Sequence, residues 1–321
     1  MIAERRVKGR TLENLDLSVV IPVYKSASTL WELYRRISLT LDNEGISFEI
    51  IFVEDNGGDE AWSVIEEMAL QDARVRGFQL SRNFGQHAAT ICGFAQSAGA
   101  WVATLDDDLE QIPEHLVALI KKAHEGYDLV YGIYAERSHK TWRNLSSSVA
   151  RWLFAKAIPS LNYSYTSYRV IKGEIARALI QFDSPFPFID GYLSWLTNRY
   201  ASVEVPHGHR LHGQSTYTVR KLITHTTNIF VTFSDLPLRM ASWLGITMFT
   251  LGGAWMLAIL IRYLVGGVSV SGFASIMVAI LMFGGVQLLM LGIFGEYIGR
   301  MNFKSSKKPL FLIGRRVART A

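Results

Sequence analysis

The arrangement of apolar and polar positions changes character several times along the chain. Leu17–Val23 (LSVVIPV) and Phe48–Val53 (FEIIFV) are short, β-branched and almost wholly apolar, the pattern of parallel strands buried on both faces. Val75–Leu80, Trp101–Leu105 and Leu129–Tyr134 read as further strands. Between them, apolar residues recur at three- and four-residue intervals over Thr29–Leu41, Ala61–Leu70, His87–Gln96 and Pro113–His124, which predicts amphipathic helices. Pro113 suits a first helical position. Strand and helix alternate, so the predicted fold is α/β, an open, doubly wound, mostly parallel sheet. Such sheets bind ligands beyond the carboxyl ends of their strands.

Towards the carboxyl end the pattern becomes continuous. Met240–Ile261 and Gly272–Phe294 hold 22 and 23 residues without a charge. As helices, each is long enough for a bilayer core of about 30 Å. Arg220, Lys221 and Arg239 precede the pair, and Arg300, Lys304, Lys307, Lys308, Arg315 and Arg316 follow it, whereas the connector Arg262–Ser271 holds one charge. The positive-inside rule then puts both flanks in the cytoplasm. Met1–Asp16 carries Arg5, Arg6, Lys8 and Arg10 with no apolar stretch behind them, so no secretory signal is expected. Tyr217–Phe233 spaces Val219, Leu222, Ile223, Ile229 and Phe230 among Arg220 and Lys221, as in a helix lying at a membrane surface. The expected organisation is an N-terminal tail (1–16), a cytosolic catalytic domain (17–216), an interfacial segment (217–238), a two-helix transmembrane hairpin (239–295) and a basic cytosolic tail (296–321).

Composition fits such a mixed chain. Of 321 residues, 49% are hydrophobic and 19% charged, and mean hydropathy is +0.17. A wholly soluble enzyme, a disordered protein and a polytopic transporter are all poor matches to those values. The surplus of 33 Lys+Arg over 28 Asp+Glu is modest, and no nucleic-acid partner is expected from it. The single Cys92 excludes an intramolecular disulfide framework and a cysteine-based zinc cluster.

The polar residues at the predicted strand ends carry the chemistry. Leu17–Val23 runs into Tyr24-Lys25-Ser26, Phe48–Val53 into Glu54-Asp55-Asn56-Gly57, and Trp101–Leu105 into Asp106-Asp107-Asp108-Leu109-Glu110. Clustered carboxylates repel one another and suit a hard divalent cation, Mg²⁺ or Mn²⁺, bound together with substrate phosphates. On an extended segment Asp106 and Asp108 point the same way, and Glu110 is able to join them as metal ligands. The plainer reading is an acidic loop preceding the helix that begins near Pro113. Ser81-Arg82-Asn83-Phe84-Gly85-Gln86-His87 offers a cation, a glycine and a helix start, a weak phosphate cradle. His207, His209 and His212 lack metal-ligand spacing, and Arg210 among them better suits a phosphate.

The order Pro22-Val23-Tyr24, Glu54-Asp55-Asn56-Gly57, Arg82-Asn83-Phe84-Gly85-Gln86-His87 and Asp106-Asp107-Asp108-Leu109-Glu110 resembles the family 2 GT-A glycosyltransferases. Within them it is similar to the polyprenyl-phosphate hexosyltransferases, a group that includes dolichol-phosphate mannose synthase and bactoprenol glucosyltransferase. The resemblance extends through Phe233–Leu238 and Gly295–Arg300, which bracket the apolar segments. It implies a GT-A fold and a metal-dependent, inverting transfer from a nucleotide-sugar to a lipid phosphate. The expected donor is a UDP-hexose or UDP-N-acetylhexosamine, and the expected acceptor is undecaprenyl phosphate in the inner membrane. The product would serve cell-envelope glycan modification, and relatives with this hairpin form tetramers.

By the same resemblance, Pro22, Val23, Tyr24, Asp55 and Arg82 belong to the nucleotide site, with Asp55 accepting from the base. Asp106, Asp107 and Asp108 face the diphosphate and metal, Arg210, Ser215 and Tyr217 cover the diphosphate, and Arg169 lies near the acceptor phosphate. Three positions depart from the family pattern: Glu110 for glutamine, Thr216 for lysine, and Ser167 for an aspartate often assigned as base. A lipid phosphate is already anionic and needs no deprotonation, so the lost aspartate is tolerable, with Asp190 as a possible base or else a helix N-cap. The competing readings are a processive polysaccharide synthase and an inactive, membrane-tethered nucleotide-binding scaffold.

Overall fold

The computed structural model describes residues 15–134, 165–182, 184, 187–206, 236–266, 272–306 and 308–319. They divide into an α/β unit, which includes the last residues of the chain, and a unit of long helices.

In the α/β unit the near-continuous apolar runs become its innermost strands. Every residue of β1 (Leu17–Val23) and β2 (Phe48–Glu54) is buried. β1 pairs in parallel with β2 on one side and with β4 (Trp101–Thr104) on the other, and β2 pairs in parallel with β3 (Val75–Leu80). Parallel pairing requires crossovers, and α1 (Leu30–Asn43), α2 (Ala61–Gln71) and α3 (Gln86–Gln96) supply them. α1 buries Leu30, Leu33, Ile37 and Leu41, the three- and four-residue spacing that predicted it. α3 lies tight on β1: a Cβ added at Gly93 would come within 2.2 Å of Val20 Cγ1. A short 3₁₀ turn at Pro113–His115 leads into α4 (Leu116–His124), which is followed by β5 (Leu129–Tyr134).

The sheet is larger than the pattern suggested. β6 (Arg169–Lys172) runs antiparallel between β4 and β5, and β7 (Tyr200–Val205) lies parallel to β5. The short α5 (Gly173–Ala178) and α6 (Ile189–Leu196) connect them. Ile313–Ala318, expected to be part of a basic tail, instead forms β8, which pairs antiparallel with β3. The eight-stranded order is β7-β5-β6-β4-β1-β2-β3-β8.

The helical unit contains α7 (Leu236–Gly266) and α8 (Phe273–Ser305), each longer than the uncharged stretch it overlaps. The helices meet at Gly245, where an added Cβ would lie 3.3 Å from Met290 Cε. Their outer surfaces are apolar: Phe249 is 81% exposed and Trp255 73%. Such exposure suits lipid rather than water. Among the described residues, Met282–Gly299 is long and apolar enough to cross a membrane. The interfacial segment expected over 217–238 lies outside the described residues, apart from its last positions, which begin α7.

Candidate active site

Because β1, β2, β3 and β4 are neighbouring parallel strands, their carboxyl ends open on one edge of the sheet. Among the described residues, the non-glycine positions with positive φ are Lys25 (58°), Asn56 (51°) and Leu109 (64°). One falls in each loop after β1, β2 and β4. A side chain in this left-handed region costs about 1–2 kcal/mol, a strain that tends to collect where loops are held for function.

The acidic loop is a turn rather than the extended segment expected, since β4 ends at Thr104 and Leu109 is left-handed. Its acids therefore face different partners. Asp107 turns towards the β1 loop: the Tyr24 N–H donates to its Oδ2 at 2.9 Å, and the Ser26 hydroxyl donates to the same oxygen. Thr29 Oγ1 donates to the Asp107 carbonyl at 2.5 Å. Expected as a donor contact, Asp107 here braces the β1 loop against the β4 loop.

Asp106 is the best-held acid. Gln86 Nε2 donates to Oδ1 at 2.7 Å, while Gln111 Nε2 (2.7 Å) and Ser167 Oγ (2.5 Å) donate to Oδ2. Gln111 also accepts the Asp106 N–H at 2.9 Å and donates to Ser167 Oγ at 2.6 Å. Burial pushes the Asp106 carboxyl up to about 6, the Asp108 and Asp107 charges add to this, and the Ser167 hydrogen bond opposes it. Asp108 Oδ1 accepts the Glu110 N–H at 3.1 Å. Among the described residues no three His, Cys, Asp or Glu side chains converge on a metal position, so the expected Asp106, Asp108 and Glu110 trio is not assembled.

The β2 and β3 loops form the adjoining wall. Asp55 is buried, and its Oδ1 and Oδ2 accept the Phe84 and Gly85 N–H groups at 2.7 and 2.8 Å. Burial holds its carboxyl above the usual range despite those two amides. Expected to read a base, Asp55 has both oxygens engaged in shaping the β3 loop, where Gly85 turns with φ +93°. Arg82 is exposed, with its guanidinium 4.7 Å from the Phe84 ring centroid. Pro22 and Val23 are buried in β1, and the Val23 carbonyl accepts the Asp55 N–H at 2.9 Å. Tyr24 is half-exposed at the mouth.

Arg169 and Asp190 lie behind this surface. They are 3% and 4% exposed, and Arg169 Nη1 donates to Asp190 Oδ1. Tyr131 OH donates to the same oxygen at 3.0 Å. Burial, the largest single influence, draws the guanidinium's pKa down, but Asp190, Tyr131 and Asp106 together outweigh it and hold the group above its ordinary value. Arg169 Nε reaches Thr104 Oγ1 at 3.3 Å, and that hydroxyl donates to the Ser167 carbonyl. The pair thus supports the strand that carries the acidic loop. An acceptor-phosphate ligand and a free base were expected here, and neither side chain is presented as one. Asp190 falls within the first turn of α6, after the N-cap Phe188, so the N-cap alternative is not found either. Arg210, Ser215 and Tyr217 lie outside the described residues. Gln86 and Gln111, the two amides that hold Asp106, were not expected; Gln111 directly follows Glu110, and only that proximity pointed to it.

Residues 18–178 match the profile of Glycosyl transferase family 2. The chain belongs to this family. Within it, residues 236–301 match the GtrB C-terminal hairpin. The undecaprenyl-phosphate 4-deoxy-4-formamido-L-arabinose transferase of Pseudomonas aeruginosa (strain UCBPP-PA14) is 33% identical over 311 residues, covering 95% of this chain and 92% of that one. A glycosyltransferase of Synechocystis sp. (strain PCC 6803 / Kazusa), sll0501, is 31% identical over 305 residues, covering 93% and 95%. The family 2 fold is shared with glucosyl-3-phosphoglycerate synthase from Mycobacterium tuberculosis, solved with Mn²⁺ and UDP-glucose, at a TM-score of 0.51 and 18% identity over 70% of this chain and 82% of that one.

Proposed function

We propose that this family 2 glycosyltransferase moves a sugar from a nucleotide-sugar, a UDP-hexose or UDP-N-acetylhexosamine, to a polyprenyl phosphate such as undecaprenyl phosphate. One observation carries the reading: the strand-end acids, locked against the β1 loop and Gln86, share a chain with a GtrB-type hairpin. The name of the Pseudomonas relative points to the same acceptor.

The carboxylates of Asp106 and Asp108, hard oxygen donors on one turn, fit Mg²⁺ or Mn²⁺, which would neutralise the leaving diphosphate. Mn²⁺ accompanies the donor in the mycobacterial enzyme of the same fold. The rest of the reaction falls to the chain itself. Asp107 fixes the Tyr24–Ser26 loop and Asp55 the Phe84–Gly85 loop, so the walls of the donor cleft are set before substrate arrives, and preorganised groups cost nothing at the moment of reaction. A phosphate oxygen of the acceptor forms the new bond to the anomeric carbon as the bond to the diphosphate breaks and the nucleoside diphosphate departs with that electron pair. The acceptor oxygen is already anionic, so no proton need be removed. Ser167 suits this scheme, because its hydroxyl is committed to Asp106 and Gln111. Arg169 and Asp190 act as positioning residues beneath the loop, and Arg210, Ser215 and Tyr217 are proposed to cover the diphosphate. The catalytic domain and both termini are assigned to the cytoplasmic side of the inner membrane, in a homo-oligomer.

Incubation of the detergent-solubilised protein with radiolabelled nucleotide-sugars, Mn²⁺ and undecaprenyl phosphate tests the reading. A single-sugar glycolipid is expected. A polymer would instead indicate a processive synthase, and no product with any donor an inactive scaffold.

A further inference from the structure

The sheet does not end at the strand that carries the Ser81–Gly85 loop. β8, the last element of the chain, lies along the outer edge of β3 with Gly77 opposite Val317 and Gln79 opposite Arg315. The register shifts between Gln79 and Leu80, and Leu80 then pairs with Ile313. Beyond that irregularity the Ser81 N–H donates to the Leu312 carbonyl at 2.8 Å. The fit is close, since a Cβ added at Gly314 would meet Ser81 Cα at 3.3 Å. On its other side the Ser81 carbonyl accepts Asn56 Nδ2 at 3.0 Å. The Ser81 peptide is therefore clamped between the end of the chain and the β2 loop, three residues before the amides that bind Asp55. Val317 anchors the strand by packing on the main hydrophobic core.

We infer that β8 is a positioning brace for the donor site: by pairing with β3 it fixes the Ser81 end of the loop whose Phe84 and Gly85 amides meet Asp55. Without it, β3 becomes an open edge and Ser81 loses its N–H acceptor. The loop then samples conformations in which those amides leave Asp55, and only the fraction still formed is competent to bind. The segment that leaves the membrane helices thus controls donor affinity without touching the donor. The inference rests on the reading of the Asp55 cleft as the nucleotide site, and the test separates the two.

Two variants are compared with the full chain in detergent: one ending at Lys307, which removes Leu312 together with β8, and one carrying Val317→Asp, which puts a charge where the strand meets the core. Hydrogen exchange of the Phe84 and Gly85 amides reads the brace without any ligand. UDP binding with Mn²⁺ and the KM values for both substrates read its consequence. Both variants are expected to exchange these amides at least tenfold faster, and the KM for nucleotide-sugar to rise about five- to tenfold while the KM for lipid acceptor stays within twofold. A synthetic peptide of residues 308–321 added to the truncated chain should restore protection by strand addition, which a misfolded domain would not allow. Unchanged exchange at Phe84 and Gly85 in both variants overturns the brace. Faster, peptide-reversible exchange in a protein that binds no nucleotide leaves the brace standing and removes the nucleotide reading.

Discussion

Asp106 accepts hydrogen bonds from Gln86, Gln111 and Ser167 and still keeps its proton up to about pH 6, because burial and the neighbouring Asp107 and Asp108 charges outweigh them. An unfolded aspartate titrates at about 3.9. Between those values the folded chain binds a proton that the unfolded chain has lost, so this residue's contribution to stability is complete at low pH and disappears as pH rises through 6. Asp106→Asn should therefore flatten the pH dependence of Tm between about pH 4 and 6, measured by thermal unfolding in detergent; an unchanged slope would refute the assignment. On the proposed role, the free enzyme must ionise Asp106 to take up metal and donor, so kcat/KM is expected to show an acidic limb near pH 6. Ser167→Ala removes a hydrogen bond that favours the carboxylate and should move that limb to higher pH. Asp108→Ala should abolish turnover without lowering Tm, since a loop carboxylate adds little to the core. The acids of this cleft were legible because four of them follow one strand. Their partners were not: Gln86 and Ser167 lie 20 and 61 positions from Asp106 in the sequence, and only the pairing of β4 with β6 and the start of α3 bring them together.

Among the elements, β6 is joined to α6 by the Arg169–Asp190 pair and to β4 by their ladder. Removing one partner leaves the other charge buried alone, a loss of about 3–5 kcal/mol. Asp190→Ala should lower Tm sharply and activity with it, whereas Arg169→Met combined with Asp190→Leu and Tyr131→Phe should recover most of the stability, since no buried charge or unpaired hydroxyl remains. Activity that stays low in the refolded triple variant would show that the pair's placement of the Ser167 carbonyl matters in itself. Gly93→Ala is expected to cost about 1–3 kcal/mol by overpacking, because Val20 occupies the space a methyl group needs. The first four helices and five strands were legible because their periods are clean and their strands buried. The remaining strands were hidden for separate reasons. β6 has only four residues, β7 alternates tyrosine, serine and glutamate on an exposed edge, and β8 (IGRRVA) carries a glycine and paired arginines that read as tail. Arginines suit an edge strand, because they discourage pairing with other chains.

At the scale of the whole molecule, the described α/β unit breaks off at residue 206 and resumes at residue 308, with the two long helices between them in the sequence. β8 hydrogen-bonds to β3, so both ends of the intervening segment must lie on the same side of any membrane it crosses. An even number of crossings is then expected. Met282–Gly299 has the length and composition of one span, and an even count requires a second, for which α7 is the available long apolar helix. This argument uses hydrogen bonds in the sheet and is independent of the flanking lysines and arginines, which give the same answer by charge. A fluorescent protein, which matures only in the cytoplasm, fused after Ala321 should be bright, and alkaline phosphatase inserted within 267–271 should be active on the opposite side. A dark C-terminal fusion in a protein that retains transferase activity would mean an odd number of crossings. β8 would then be on the wrong side of the membrane to pair with β3, and both the hairpin topology and the brace on the donor loop would fall together.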